Sequence, residues 1–67
     1  MHISYNKLWK LLIDKNMKKM DLKEAAGISG ASISKLGKGE NITTDGLLKI
    51  CEALNVHLDD IMETIDD

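Results

Sequence analysis

Apolar residues recur along the chain at the spacing of short amphipathic helices. Between residues 5 and 15 they lie at positions i, i+3, i+4 and i+7, which predicts a first helix with one buried face. Ile13 widens that face in this prediction. Because the sequence contains no phenylalanine and one tryptophan, Trp9 is expected to be the largest anchor of the core. The predicted buried face consists of Tyr5, Leu8, Trp9 and Leu12.

Two shorter apolar patterns follow, over residues 19–26 and 30–36, and a tight turn separates them. Gly27 suits the end of the first pattern, because glycine enters the left-handed conformation without steric cost. Ile28 is then free to enter the core, and the hydroxyl of Ser29 is suited to cap the second helix. Helix, glycine turn and capped helix together are typical of a helix-turn-helix.

The remaining residues predict two more helices. Gly37 and Gly39 end the third helix, and Thr43 is a good N-cap for a fourth. No segment keeps a period of two, so no strand is predicted. The pattern as a whole predicts one compact all-α domain of five short helices over residues 1–67. Helix four has the apolar stripe Leu47, Ile50, Cys51 and Leu54, and helix five is marked by Val56, Leu58, Ile61, Met62 and Ile65.

Charge is divided unevenly, although the net charge is only −2. Residues 1–38 carry eight lysines against three acidic residues, whereas residues 39–67 carry one lysine against eight. This asymmetry predicts one basic end and one acidic end. The basic half contains the helix-turn-helix, where contacts to phosphate would be needed. Two solvated faces of opposite sign are an equally good interpretation of charge alone.

Other classes of function find little support. One cysteine allows no internal disulfide and fits a reducing, cytoplasmic setting, and no apolar run reaches the roughly 20 residues of a membrane span. Cys51, His2 and His57 have none of the spacings of a metal site, and Cys51 lies in an apolar stripe, where a packed thiol is expected. The sequence therefore predicts a protein that is not an enzyme, without metal, cofactor or small-molecule ligand.

Four motifs follow one another along the chain. They are Leu22-x-x-x-Ala26-Gly27-Ile28-Ser29, Ile33-Ser34-Lys35-Leu36, Lys38-Gly39-Glu40 and Leu47-Leu48-Lys49-Ile50-Cys51-Glu52-Ala53-Leu54. In these motifs the chain resembles the phage-repressor-type helix-turn-helix domains, also called Cro/CI-like or the xenobiotic-response-element family. The first helix, with Trp9-Lys10-Leu11-Leu12, is similar to that of the small single-domain members. The resemblance implies a lambda-repressor-like domain of bacterial or phage origin that binds double-stranded DNA and regulates transcription, more often as a repressor.

Three residues depart from the family pattern. Family members often carry glutamine where this chain has Lys19 and Gly30, and alanine where it has Lys23. The bracing of one glutamine by another is therefore absent, and Gly30 has no side chain with which to contact a base.

The resemblance also implies which residues face DNA, with the third helix in the major groove. Ordinary solvent-facing polar residues are the alternative interpretation of the serines and lysines. The implied base contacts are Ala31, Ser32, Ser34 and Lys35, and the implied phosphate contacts are Lys18, Lys19, Lys38 and Asn41.

A homodimer is expected, because a monomer on one half-site would bind weakly. Ile61, Met62 and Ile65 of the fifth helix are its candidate contacts, with coverage of the core as an equal alternative. A rival hypothesis is a protein-interaction module or antitoxin-like partner on the same fold with little DNA binding, which the net charge and Gly30 favour.

Overall fold

The computed structural model describes all 67 residues, which form four α-helices and a two-stranded β ribbon. A single 3₁₀ turn, Leu58–Asp60, lies between the last helix and the second strand. The helices are α1 (Asn6–Asp14), α2 (Lys19–Ala26), α3 (Gly30–Gly37) and α4 (Thr44–Leu54), and the strands are β1 (His2–Ser4) and β2 (Glu63–Ile65).

The helix ends follow the chemistry of their terminal residues. Thr43 Oγ1 accepts a hydrogen bond from the backbone N–H of Gly46 at 3.1 Å, which confirms the predicted cap of α4. Asn55 and Asn16 adopt left-handed conformations, with φ of 56° and 57°, directly after α4 and close after α1. Asparagine tolerates this conformation better than most residues, so both helices end where their sequences allow the chain to turn.

The core is made by one buried side of every helix, together with three residues outside the helices, Tyr5, Ile28 and Ile61. Helix α2 packs against α4, and Leu22 of α2 and Ile50 of α4 are both completely buried. Burial of apolar surface on this scale is the main stabilisation available to a chain of 67 residues. The buried residues are Tyr5, Leu8, Leu12, Leu22, Ile28, Leu36, Leu47, Ile50, Cys51, Leu54 and Ile61.

Two expectations for α1 are wrong. Trp9 is only half-buried, and the side chain of Ile13 is 76% exposed. The buried face of α1 therefore includes Leu11, which is half-buried, and does not include Ile13. Tyr5 is the buried aromatic instead. Burial raises the pKa of Tyr5, and a hydrogen bond with the backbone of Ile42 opposes this rise.

Two further predictions are wrong, because the structure has no fifth α-helix and has two short strands. After α4 the chain makes one 3₁₀ turn, in which Asp60 Oδ2 accepts from the backbone N–H of His57 at 2.9 Å. The chain then extends as β2 and pairs antiparallel with β1, so that Ile3 lies opposite Thr64. Strands of three residues are too short to show an alternating pattern, and pairing with a distant partner overrides the helical spacing.

This correction changes the candidate dimer surface. Ile61 is completely buried in the core, so its side chain is not available for contact with a second copy. Met62 is half-buried and packs against the core, while Ile65 is 36% exposed on β2. Of the three candidates, Met62 and Ile65 retain exposed surface.

Ile61 and Ile65 offer a direct test of this assignment. Replacing Ile61 by alanine removes fully buried atoms and should lower the free energy of unfolding by about 2–5 kcal/mol. Ile65→Ala removes a partly exposed side chain and should lower it by about 1 kcal/mol or less. Urea unfolding followed by circular dichroism measures both values, and equal losses in the two variants would contradict the placement of Ile61 in the core.

Candidate nucleic-acid interface

The turn between α2 and α3 is fixed by a left-handed glycine and a buried isoleucine. Gly27 has φ 66° and ψ 33°, as its position at the end of α2 predicts, and its N–H donates to the Lys23 carbonyl at 3.0 Å. The N–H of Ile28 donates to the same carbonyl at 3.3 Å, and the Ile28 side chain is buried. Glycine thus redirects the chain, and burial of the next side chain holds the new direction.

The start of α3 is capped by Ser29, as the sequence predicts. Its Oγ accepts from the backbone N–H of Ser32 at 3.1 Å, and its hydroxyl donates to Ser32 Oγ at 3.2 Å. The Ser32 side chain is half-buried and engaged with this cap. The Ser32 hydroxyl thus accepts one hydrogen bond inside the protein, while its own O–H remains free to donate.

The outer face of α3 carries small and polar side chains. Ala31, Ser34 and Lys35 are exposed, and their i, i+3, i+4 spacing places them side by side on one face. On the other side, Leu36 is buried and Ile33 packs against the core. Three of the four implied base contacts therefore lie together on the surface of α3.

The four implied phosphate contacts are also exposed, and three of them lie at the ends of the two helices. Lys18 and Lys19 are at the start of α2, where Asp21 Oδ2 accepts from the Lys18 N–H at 2.8 Å. Lys38 ends α3, and Asn41 lies in the loop that follows.

Hardly any of the lysine charge is neutralised within the protein. The one lysine in an ion pair is Lys49, whose Nζ lies 3.3 Å from Asp45 Oδ2 on the same helix. Lys7 Nζ donates instead to the Asp59 carbonyl at 3.0 Å. The lysines at the ends of α2 and α3 thus keep their charge available for an anion.

The carboxylate of Asp67 is bound to the other end of the chain. Asp67 binds the ammonium group of Met1 at 2.8 Å and Nδ1 of His2 at 2.7 Å. Both hydrogen bonds lower the pKa of Asp67, and the one from the Met1 ammonium group has the larger effect. They hold a charged pair where the two ends of the chain meet, at the β ribbon.

Other chemistry has no visible site. No group of three or more histidine, cysteine or acidic side chains is arranged to hold a metal ion. Cys51 is buried, as predicted for a packed thiol. Burial raises the pKa of Cys51, and the charges of Asp60 and Glu52 raise it further, which disfavours the reactive thiolate. No helix has the length and apolar character needed to cross a membrane.

One contact beside the interface is not predicted from the sequence. Lys19 Nζ lies over the ring of Trp9, 4.9 Å from the ring centroid. The two residues are on different helices and also line an open cleft of about 480 Å³ that includes Gly37. The contact depends on how α1 and α2 cross, which the spacing of residues along the chain does not reveal.

The fold and this surface define a small helix-turn-helix domain, and the comparison with known families agrees. The chain belongs to the Cro/C1-type helix-turn-helix DNA-binding domain family, which matches residues 7–67 and confirms the resemblance seen in the sequence. Its structure is similar to the crystal structure of the transcriptional regulator VanUg, Form II, with a TM-score of 0.93 and 53% sequence identity. That match covers 98% of this chain and 88% of the other. A comparison with curated protein sequences gave no match.

Two glycines of the helix-turn-helix provide a matched pair of variants. Gly27→Ala forces a Cβ into the left-handed region and should lower the free energy of unfolding by about 1–2 kcal/mol. Gly30 has no such φ, and a Cβ there would meet nothing within 4 Å. Gly30→Ala should therefore leave stability unchanged or raise it by up to about 1 kcal/mol. Thermal unfolding measures both, and a loss at Gly30 as large as that at Gly27 would argue against this turn geometry.

Proposed function

We propose that this protein is a sequence-specific transcriptional regulator, acting as a repressor, that inserts α3 into the major groove of double-stranded DNA. The observation that supports this most directly is the exposed face of Ala31, Ser34 and Lys35, with unpaired lysines at both ends of the helix-turn-helix. Membership of a DNA-binding family and the 53% identity to a transcriptional regulator support the same function.

Base recognition on this proposal rests on few side chains. Lys35 can donate to guanine O6 or N7, the Ser34 hydroxyl can bind several acceptors, and the Ala31 methyl can contact a thymine methyl. The Ser32 hydroxyl can also donate to a base acceptor, since within the protein it only accepts a hydrogen bond from Ser29. No arginine or asparagine lies on this face, so we expect modest base specificity, with DNA shape adding to it.

Backbone contacts set the orientation on the duplex. Lys18, Lys19, Lys38 and Asn41 are proposed to bind phosphates on either side of the groove. Gly30 at the start of α3 has open space where a Cβ would be, so the backbone there can approach the DNA closely.

We further propose that residues 1–67 act as one domain in the cytoplasm and pair as a homodimer. A two-fold dimer would place two copies of α3 about 34 Å apart, one turn of DNA. Met62 and Ile65 are the remaining candidate contacts, since Ile61 is buried. A dimer that occupies an operator blocks access to it, which is the basis for proposing repression.

The function is tested by selecting DNA sequences with the purified protein, followed by fluorescence polarisation over a series of salt concentrations. Lys35→Ala should weaken binding by about 1–3 kcal/mol at one base position and relax the sequence preference there. Lys19→Ala should weaken binding to all sequences alike and reduce the salt dependence by about one charge.

The matched control is Lys7→Ala, because the Lys7 ammonium is already bound to the Asp59 carbonyl. This variant should bind the selected sequence as the wild type does. Equal losses in all three variants would show a non-specific effect of charge and contradict the proposed interface.

The net charge of −2 and the lack of a side chain at Gly30 favour the alternative, a domain that binds another protein. That function is supported if the wild type binds no duplex at low salt and purifies instead with a stoichiometric partner.

A further inference from the structure

Three helices meet at a point that base and phosphate contacts alone do not explain. Trp9 of α1, Lys19 at the start of α2 and Gly37 at the end of α3 converge there, and we call these three residues the Trp9 junction. Lys19 Nζ lies 4.9 Å from the Trp9 ring centroid. A Cβ on Gly37 would come within 3.2 Å of the same nitrogen.

The surroundings of the Lys19 ammonium restrain it without neutralising it. The negative face of an aromatic ring attracts a cation within about 6 Å. The end of α3, which carries partial negative charge, also favours a cation. No carboxylate forms an ion pair with Lys19, and its side chain remains exposed. The ammonium group thus lies between an aromatic ring and a helix end, both of which attract it, and it retains its full charge.

We propose that Trp9 is a positioning residue for DNA binding, whose ring holds the Lys19 ammonium against the end of α3 as a seat for one backbone phosphate. Lys38, which follows Gly37, adds a second positive charge at the same corner of the domain. This inference rests on the proposed function. It assigns to Trp9 a role in affinity that neither base recognition nor core packing requires.

Restraint of the Lys19 side chain favours DNA binding, because an unrestrained lysine loses much rotamer entropy when it binds a phosphate. A carboxylate partner would order Lys19 equally well, but it would cancel the charge that a phosphate needs. An aromatic ring orders the side chain and leaves the charge intact. The missing side chain at Gly37 keeps the place of the ammonium open.

The test is a double-mutant cycle on DNA affinity, with the full chain and the selected duplex. Trp9→Leu should weaken binding roughly two- to fivefold, whereas Trp9→Phe, which keeps an aromatic face, should retain most of the affinity. In a Lys19→Met background, Trp9→Leu should have no further effect, because the group that it positions is gone. Lys7→Met is the control and should leave the effect of Trp9→Leu intact.

Gly37→Ala provides a second route that does not touch Trp9. Alanine favours the helix, so the fold should be retained, but its methyl group requires the Lys19 ammonium to shift by a few tenths of an ångström. Affinity should fall, by less than in Trp9→Leu, and again only when Lys19 is present. Circular dichroism confirms that each variant is folded at the temperature of the titration.

A readout without DNA checks the junction itself. Because the ring shifts the resonances of groups above it, the ε-methylene protons of Lys19 should appear upfield in the wild type. They should return to ordinary positions in Trp9→Leu. Ordinary chemical shifts of these protons in the wild type would contradict the contact between Lys19 and the Trp9 ring, and with it the proposal.

The outcomes separate the inference from the function on which it rests. If the wild type binds DNA but the effects of Trp9→Leu and Lys19→Met add independently, the positioning role is wrong and the function stands. If the wild type binds no DNA, both fail, even where the proton shifts confirm the contact between ring and ammonium. Coupled effects together with upfield shifts support the proposal.

Discussion

The arrangement of the surface depends on the burial of Ile28 directly after the left-handed turn at Gly27. Helix α2 is fixed by its packing on α4, and Ile28 fixes the direction in which the chain leaves α2. Ser29 then caps α3 in that direction, so the exposed face of α3 follows from one glycine conformation and one buried side chain. A looser connection would require α3 to be ordered during binding, at a cost in free energy.

Electrostatics within the chain reinforce this geometry. Although acidic residues outnumber basic ones, three of the carboxylates bind backbone or terminal N–H groups. Asp21 binds the N–H of Lys18, Asp60 binds that of His57, and Asp67 binds the ammonium of Met1. A carboxylate satisfied in this way stabilises a helix start or a chain end and does not compete for lysine side chains. A protein of net negative charge can therefore present unpaired positive charge over a limited surface.

Much of the fold could be predicted from interactions between residues that are close in sequence. The β ribbon could not, because it pairs residues from opposite ends of the chain. Gly27, Ser29 and Thr43 act on residues within four positions, so their roles follow from sequence. The spacing of Leu58, Ile61, Met62 and Ile65 fits a helix equally well, and nothing nearby indicates that β1 at the other end of the chain will pair with β2.

The candidate site likewise has features that could be predicted from the sequence and features that could not. Exposure of Ala31, Ser34 and Lys35 follows from helical periodicity once α3 is known. The engagement of Ser32 with its cap depends on a side-chain rotamer, and the contact of Trp9 with Lys19 depends on how two helices cross. Neither is encoded in spacing along the chain.

The β ribbon has a consequence for how the protein folds and opens. Its two strands come from opposite ends of the chain, so pairing them closes a loop of nearly all the residues, the arrangement with the greatest loss of chain entropy. The helices, whose contacts are nearer in sequence, can assemble before it. Local opening should accordingly begin with the ribbon, expose two unpaired strand edges beside Ile61, and create the surface most open to aggregation while the helix-turn-helix is still intact.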